Sequence, residues 1–364
     1  MRHPLHSICP YFAMFPESFV AEQLFAYTRP NELVFDPFCG RGTTVLESLL
    51  NDRRAIGSDI NPVAACVAGA KAQVPDLLHV LQQVDELEKS YHSSDHDAVA
   101  QSEFFQMCFH PETYSEVTFL RDNLDWRNSS VHRFIAAVLL GILHGESHRS
   151  ALALSNRMPR TISTKPDYSV RWWKKHGLNP PRRETFKILR EAVAFRYSRV
   201  PPRKQGVVVE ADSRTAGDRF LNFQGQVSLV VTSPPYLDTT DYSEDQWLRL
   251  WFLGGAERPA TRLNRDDRLT VVGDYWVFLQ DIWAGIVKLL RPEATIVVRI
   301  GGTRLSKEDL FEGLQTGLQF AMPNRKIRPL HQGRSSEIAK RQTNSFRPGT
   351  KSDRMEHDFA FRLG

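Results

Sequence analysis

The stretch ELVFDPFCGRGTTVLESLLNDRRAIGSDINP, residues 32–62, alternates two kinds of pattern. Short apolar runs, Leu33-Val34-Phe35 and Ala55-Ile56-Gly57, are followed by acidic ends at Asp36 and Asp59, and the segment between them has helical spacing. Strand, helix, strand in so short a span predicts parallel strands joined by a crossover helix. Gly40 and Gly42 fall just after the first strand and just before the helix, where glycine permits a tight turn and close approach of backbone N–H groups to a ligand. A phosphate-cradling P-loop is excluded, because Thr43 stands where such a loop needs lysine. A dinucleotide fingerprint is excluded for want of a third glycine.

Working outward, strand character returns at Gly206–Glu210 and at Val227–Thr232, and again in ATIVVRI (294–300), with a last strand at His357–Leu363. Helices are predicted over Ser18–Tyr27, 243–253, 274–290 and 306–318. Between the second and third strands the chain turns helical, with apolar spacing of three and four near 76–91, 103–125 and 131–154. From Asn156 to Pro181 this dissolves into a loop rich in Pro, Arg and Trp, followed by a basic helix from about Glu184 to Tyr197. The simplest organisation is one α/β domain built from residues 1–75 and 206–364, split by a helical, basic insertion over 76–205.

Three acids follow three consecutive strands. Asp36 suits a ligand carrying an ammonium group, Asp59 can accept hydrogen bonds from ribose hydroxyls, and Asp212 can accept from the amino group of an adenine. Any one of them is equally a solvated strand end or a helix cap. Ammonium, ribose and adenine together describe S-adenosyl-L-methionine.

The run VSLVVT ends at Ser233-Pro234-Pro235-Tyr236. Two prolines fix φ and remove two backbone donors, leaving carbonyl oxygens to face a ligand, and the tyrosine offers a flat face to a base. A purely structural turn has the same local pattern. An exocyclic amine donating to the Pro234 carbonyl and the Ser233 hydroxyl would have its lone pair drawn out of conjugation and aimed at a methyl donor. No Pro-Cys dipeptide is present, so cysteine-based C5 chemistry is not expected.

DPFCGRGTT resembles motif I of the amino-methyltransferases, SDINP their motif II and TSPPY their motif IV, while YFAMFPESFVAEQL resembles the segment preceding motif I. Serine before Pro-Pro-Tyr is similar to DNA N4-cytosine methyltransferases, as is YLDTTDYSEDQWLRLWFLG after it. The likeness covers 11–75 and 206–300, and Arg41 departs from it where small residues are usual. It implies a Rossmann-like α/β sheet of the S-adenosylmethionine-dependent methyltransferase type with a mainly helical insertion. It further implies that Phe15, Pro16, Asp36, Pro37, Phe38, Gly40, Gly42, Thr43, Thr44, Asp59, Ile60, Asn61, Asp212 and Ser213 hold the cofactor, and that Ser233, Pro234, Pro235 and Tyr236 serve catalysis. The implied reaction is site-specific methylation of cytosine N4 in double-stranded DNA, with the target base flipped. Adenine N6, an RNA base and a non-catalytic nucleic-acid-binding protein are the alternatives, and a companion restriction endonuclease is compatible with the family.

Charge supports a polyanionic partner more by distribution than by sum. The formal net charge is +5 over 364 residues, but residues 157–204 hold fourteen Lys and Arg against three acids, and 325–354 nine against two. Arg171, Trp172, Trp173, Lys174, Lys175, Arg182 and Arg183 interleave cations with aromatics, a composition suited to phosphates and bases. The bland alternative is a solvated helix face with tryptophans packed inward. Four scattered cysteines predict neither a disulfide framework nor a zinc site, and no metal is expected. No signal-peptide core or membrane-length apolar run is present, so the expectation is a cytoplasmic protein associated with the nucleoid through DNA.

Overall fold

The computed structural model describes residues 2–11, 16–94, 96–144, 152–158, 165–237, 246–259, 271–301, 304–337 and 355–364. The chain divides into two compact units. One comprises Tyr11–Ala68, Pro202–Thr240 and Arg265–Gly364, and the other Met1–Pro10, Gly69–Pro201 and Asp241–Asn264.

The first unit is built on a seven-stranded sheet. Its strands are β1 (Leu33–Asp36), β2 (Arg54–Asp59), β3 (Val207–Glu210), β4 (Val227–Thr232), β5 (Leu290–Gly301), β6 (Ile327–Glu337) and β7 (Met355–Leu363). The spatial order is β3-β2-β1-β4-β5-β7-β6. All neighbours are parallel except β7, which runs antiparallel to both β5 and β6. The strand order reverses between β1 and β4. In an open parallel sheet that reversal opens a crevice at the carboxyl ends of the two strands, where ligands bind.

Alternation along the strands assigns each face its cover. Phe35, Val230, Ile296 and Val298 join a core completed by the helices Val272–Ile286 and Lys307–Ala321. Val34, Leu229, Val231 and Val297 face the other way, onto Phe19, Val20 and Leu24 of the helix Glu17–Tyr27. A strand buried on both faces reads as a continuous apolar run, as VSLVVT does.

β6 has no counterpart in the sequence reading. IRPLHQGRSSE contains Pro329 and a glycine, Gly333, at φ +94°, and neither suits a central strand. Among the described residues β6 is an edge strand paired only with β7, and its register shifts on both sides of His331 absorb the irregular residues. β7 also begins at Met355, two residues before the expected start.

The second unit is helical, with helices Leu77–His92, Glu103–Cys108, Pro111–Asn123, Ser130–Ile142, Pro166–Lys175, Thr185–Arg196 and Trp247–Phe252. The segment near 103–125 is two helices, because Pro111 starts the second at its first position. The helical stretch expected to reach 154 stops at Ile142. The expected loop 156–181 contains a helix, Pro166–Lys175, opened by another proline and burying Ser169, Val170 and Trp173 on one side. Its polar exposed face hid that spacing in the sequence. An aromatic core of Phe104, Phe105, Tyr114, Trp173, Trp247 and Trp251 holds the unit together, with the Phe105 and Trp251 rings 4.5 Å apart. Among the described residues no helix is long and apolar enough to cross a membrane.

Candidate active site

The crevice between β1 and β4 brings the glycine loop to the Pro-Pro loop. Asp36, the last residue of β1, is buried, and its Oδ1 accepts hydrogen bonds from the Thr232 hydroxyl at 2.7 Å and from the Phe38 amide at 3.1 Å. Thr232 ends β4 and immediately precedes Ser233. Thr44, in the helix that follows the glycines, donates to the carbonyl of Val231 at 3.1 Å, a second tie to β4. Burial pushes the Asp36 carboxyl up to about 7, against the opposing pull of its hydrogen bonds, and the Asp59 charge adds to the rise. A carboxyl so placed is stabilised in its ionised form by an arriving cation.

Asp59 closes the other side of the loop. Its Oδ2 accepts from the Gly40 amide at 2.8 Å and its Oδ1 from the Asn61 amide at 2.9 Å. Burial raises it to about 6. Gly40 and Gly42 take φ of +48° and +76°, the left-handed region, so the turn requires glycine at both positions. The ring of Tyr11 packs on Gly40, where an added Cβ would meet its Cε1 at 3.6 Å. Tyr11 lies at the head of the quoted YFAMFP segment but was not singled out, since an aromatic beside proline carries no positional signal.

The remaining expected cofactor residues divide by what their polar atoms already do. The Pro37 carbonyl accepts from the hydroxyls of Ser58 and Ser213, which ties the ends of β1, β2 and β3 into one edge. The Asn61 side chain caps the next helix by accepting from the Val63 amide at 2.9 Å. Thr43 is buried at the start of its helix, Pro16 is the N-cap of Glu17–Tyr27, and Phe38 packs on Phe278. Ile60 stands 69% exposed directly after Asp59. Phe15 lies outside the described residues.

Asp212 departs from its expected availability to a ligand. Both of its carboxylate oxygens are engaged by the Arg214 guanidinium, and Oδ1 also accepts from the Arg214 amide at 2.9 Å. An arginine two residues on competes for the acid that a strand-end reading leaves open. The two line an open cleft of about 560 Å³ with Asp218, Asp281 and Lys288.

In the Pro-Pro loop, Pro234 is buried and Ser233, Pro235 and Tyr236 are partly exposed. The Pro235 carbonyl accepts from the Tyr275 hydroxyl at 3.0 Å, so of the two proline carbonyls this one is already used to brace the loop. The Tyr236 hydroxyl donates to Glu356 at 2.8 Å and lies 3.4 Å from the Ser233 hydroxyl. Burial raises the Glu356 carboxyl, opposed by the Tyr236 hydrogen bond and the Arg299 charge. Neither Glu356 nor Arg299 was flagged in the sequence. Glu356 falls just outside the strand expected at His357–Leu363, and its partners come from distant parts of the sequence.

The basic set splits in the helical unit. Trp173 is fully buried, with its indole N–H donating to the Arg157 carbonyl at 2.5 Å, so it presents no face to a base. Arg182 bridges Glu112 and the buried Glu116, each at 2.6 Å, and Lys174 pairs with Glu103 at 2.5 Å. Trp172 is partly exposed and packs at a tilt against His176, with ring centroids 4.5 Å apart. Arg183 is half-buried, and its backbone amide donates to Thr113. Arg171 and Lys175 are exposed.

Residues 3–68 match the family described as DNA methylase. Over 67 residues the chain is 33% identical to the "Orphan methyltransferase M.BamHII" of Bacillus amyloliquefaciens, a match covering 18% of this chain and 25% of that protein. The chain thus matches about a quarter of that relative's length. Among solved structures, the rRNA methyltransferase aviRa from Streptomyces viridochromogenes is 12% identical at a TM-score of 0.35, covering 100% of this chain and 94% of its own. A SAM-dependent methyltransferase from Agrobacterium tumefaciens is 9% identical at 0.34, covering 96% and 62%. The family match and the M.BamHII match support a DNA amino-methyltransferase relationship, with S-adenosyl-L-methionine as the cofactor. The residues present fit that cofactor: a buried carboxyl poised to ionise against a cation, a glycine turn lined by backbone, a second carboxylate and an exposed apolar side chain follow one another along the sheet edge.

Proposed function

We propose that the protein methylates an exocyclic amine of a DNA base, cytosine N4, in a specific sequence of double-stranded DNA. The observation that carries this reading is the 2.7 Å hydrogen bond from Thr232 to Asp36, which ties the acid at the cofactor loop to the residue preceding Ser-Pro-Pro-Tyr. When bound, S-adenosyl-L-methionine supplies an electrophilic methyl group on a sulfonium. Asp36 would hold its ammonium, Asp59 its ribose, and Ile60 would lie against its adenine, with the glycine turn letting the ligand approach the backbone.

A flipped base is received on the Ser233–Tyr236 loop, its ring against Tyr236 and its amine between the Ser233 hydroxyl and the Pro234 carbonyl. Those acceptors draw the nitrogen lone pair out of conjugation and fix its direction, so positioning and electrostatics supply the acceleration. Target recognition falls to the helical unit, with Arg171 and Lys175 on phosphates and Trp172 beside them.

The test is incubation with unmethylated DNA, or with RNA in parallel, and a labelled methyl donor, followed by mass spectrometry of the nucleosides. The reading predicts 4-methylcytosine from DNA. 6-methyladenine would move the target within the same chemistry, label in RNA alone would move the polymer, and no transfer with intact cofactor binding would leave a nucleic-acid-binding protein.

A further inference from the structure

The register of β5 against β7 places Arg299 opposite Asp358 and Gly301 opposite Glu356. Residues two apart on a strand share a face, so Glu356 and Asp358 are presented together on the side that carries Arg299. Arg299 is buried and held in a fork by Asp358, with Nε–Oδ1 at 2.6 Å and Nη2–Oδ2 at 2.7 Å. Its guanidinium lies over the Phe19 ring at 3.8 Å, and its Nη1 stands 3.9 Å from Glu356 Oε2. Gly301 leaves room beside Glu356, since a Cβ there would lie 3.4 Å from Glu356 Cγ and 2.5 Å from the Met355 carbonyl oxygen. Glu356 is therefore fixed from two sides, and its other oxygen, Oε1, receives the Tyr236 hydroxyl at 2.8 Å.

The direction of these hydrogen bonds follows from donor capacity. A carboxylate only accepts, so the single hydrogen of the Tyr236 hydroxyl is committed to Glu356. The Tyr236 oxygen can then act toward Ser233 only as an acceptor, which directs the Ser233 hydrogen toward Tyr236.

We propose that Glu356 is a positioning residue for methyl transfer: it fixes the Tyr236 hydroxyl, and through it the Ser233 hydroxyl, so that the Ser233 lone pairs face the target amine. This rests on the function proposed above. Without Glu356 the Ser233 hydrogen is free to point at the amine, where a donor meets donors and the alignment is lost. Arg299 keeps its Asp358 partner in any Glu356 variant, so the fold is not the quantity tested.

The experiment compares Glu356→Leu, Glu356→Gln, Tyr236→Phe and the double variant Glu356→Leu/Tyr236→Phe in the full chain. Glu356→Leu and Tyr236→Phe should each lower kcat by about tenfold, the size expected for one lost charge-assisted hydrogen bond, with KM for DNA and cofactor affinity unchanged. The double variant should be no slower than either single one, because both break the same chain. Glu356→Gln keeps an accepting oxygen and should recover most of the rate. Additive losses, or wild-type kcat in Glu356→Leu, would overturn the proposal. The 13Cζ resonance of labelled Tyr236 gives a readout independent of activity and should move in Glu356→Leu. If wild-type protein methylates no nucleic acid, the functional reading fails, and an unmoved Tyr236 resonance would overturn the hydrogen-bond chain separately.

Discussion

Replacing Asp36 by asparagine should make the protein more stable and unable to hold its cofactor. The substitution keeps an oxygen for the Thr232 hydroxyl and the Phe38 amide and removes only the charge. Burial lifts this carboxyl from 3.8 to about 7, so its ionised form is disfavoured in the folded state. At about 1.4 kcal/mol for each tenfold change in proton affinity, the penalty reaches about 4 kcal/mol once the pH exceeds the folded value. The sign follows from the direction of the shift. The folded state binds the proton more tightly than the open chain, so wild type loses stability as pH rises from about 4 to about 7, and the asparagine variant does not. Urea unfolding at pH 4.5 and pH 8 measures it (both values chosen to bracket about 4 to 7). The variant's advantage should be about 1 kcal/mol or less at the lower pH and about 4 kcal/mol at the higher. Calorimetry with S-adenosylmethionine should show wild-type affinity falling about tenfold per pH unit below 7, as the carboxyl takes up a proton that binding must expel, and little or no binding by the variant at any pH. An equal advantage at both pH values, or undiminished cofactor affinity in Asp36→Asn, would refute the reasoning.

Gly42→Ala places a Cβ at φ +76° and should cost about 1–2 kcal/mol in denaturant unfolding, with cofactor affinity falling as the turn relaxes. Arg182→Met strands the buried Glu116 without its cation and should destabilise the helical unit by about 2 kcal/mol, discounted because Arg182 is about a third exposed. Trp173→Ala removes a fully buried ring that packs on Phe104 and should cost about 3–5 kcal/mol by the same measurement. Arg171→Gln with Lys175→Gln should leave unfolding unchanged and reduce the slope of log affinity for DNA against log salt by about 2, and an unchanged slope would remove them from the interface.

The strands flanking the crevice were legible because their signal is local. β1 and β4 are apolar runs ended by an acid or by prolines, while their adjacency at the switch comes from the sheet order. The contact between them was not legible, because Thr232 reads as one more β-branched residue until its hydroxyl is seen to meet Asp36. β6 stayed hidden for a related reason: an edge strand tolerates proline, glycine and charge, so it lacks the pattern by which strands are recognised. In the basic run, formal charge counts Arg182 and Lys174 without the acids that fold against them, and aromatic content counts Trp173 without its burial. Arg299 and Glu356 depend wholly on antiparallel register, which no local window contains.

The most direct measurement is a crystal structure with S-adenosylhomocysteine bound. The account predicts its amino group within hydrogen-bond reach of Asp36, its ribose on Asp59, and its sulfur turned toward Ser233. Density for the ligand in the cleft of Asp218, Asp281 and Lys288 instead, with the Asp36 carboxyl still bonded only to the protein, would contradict it.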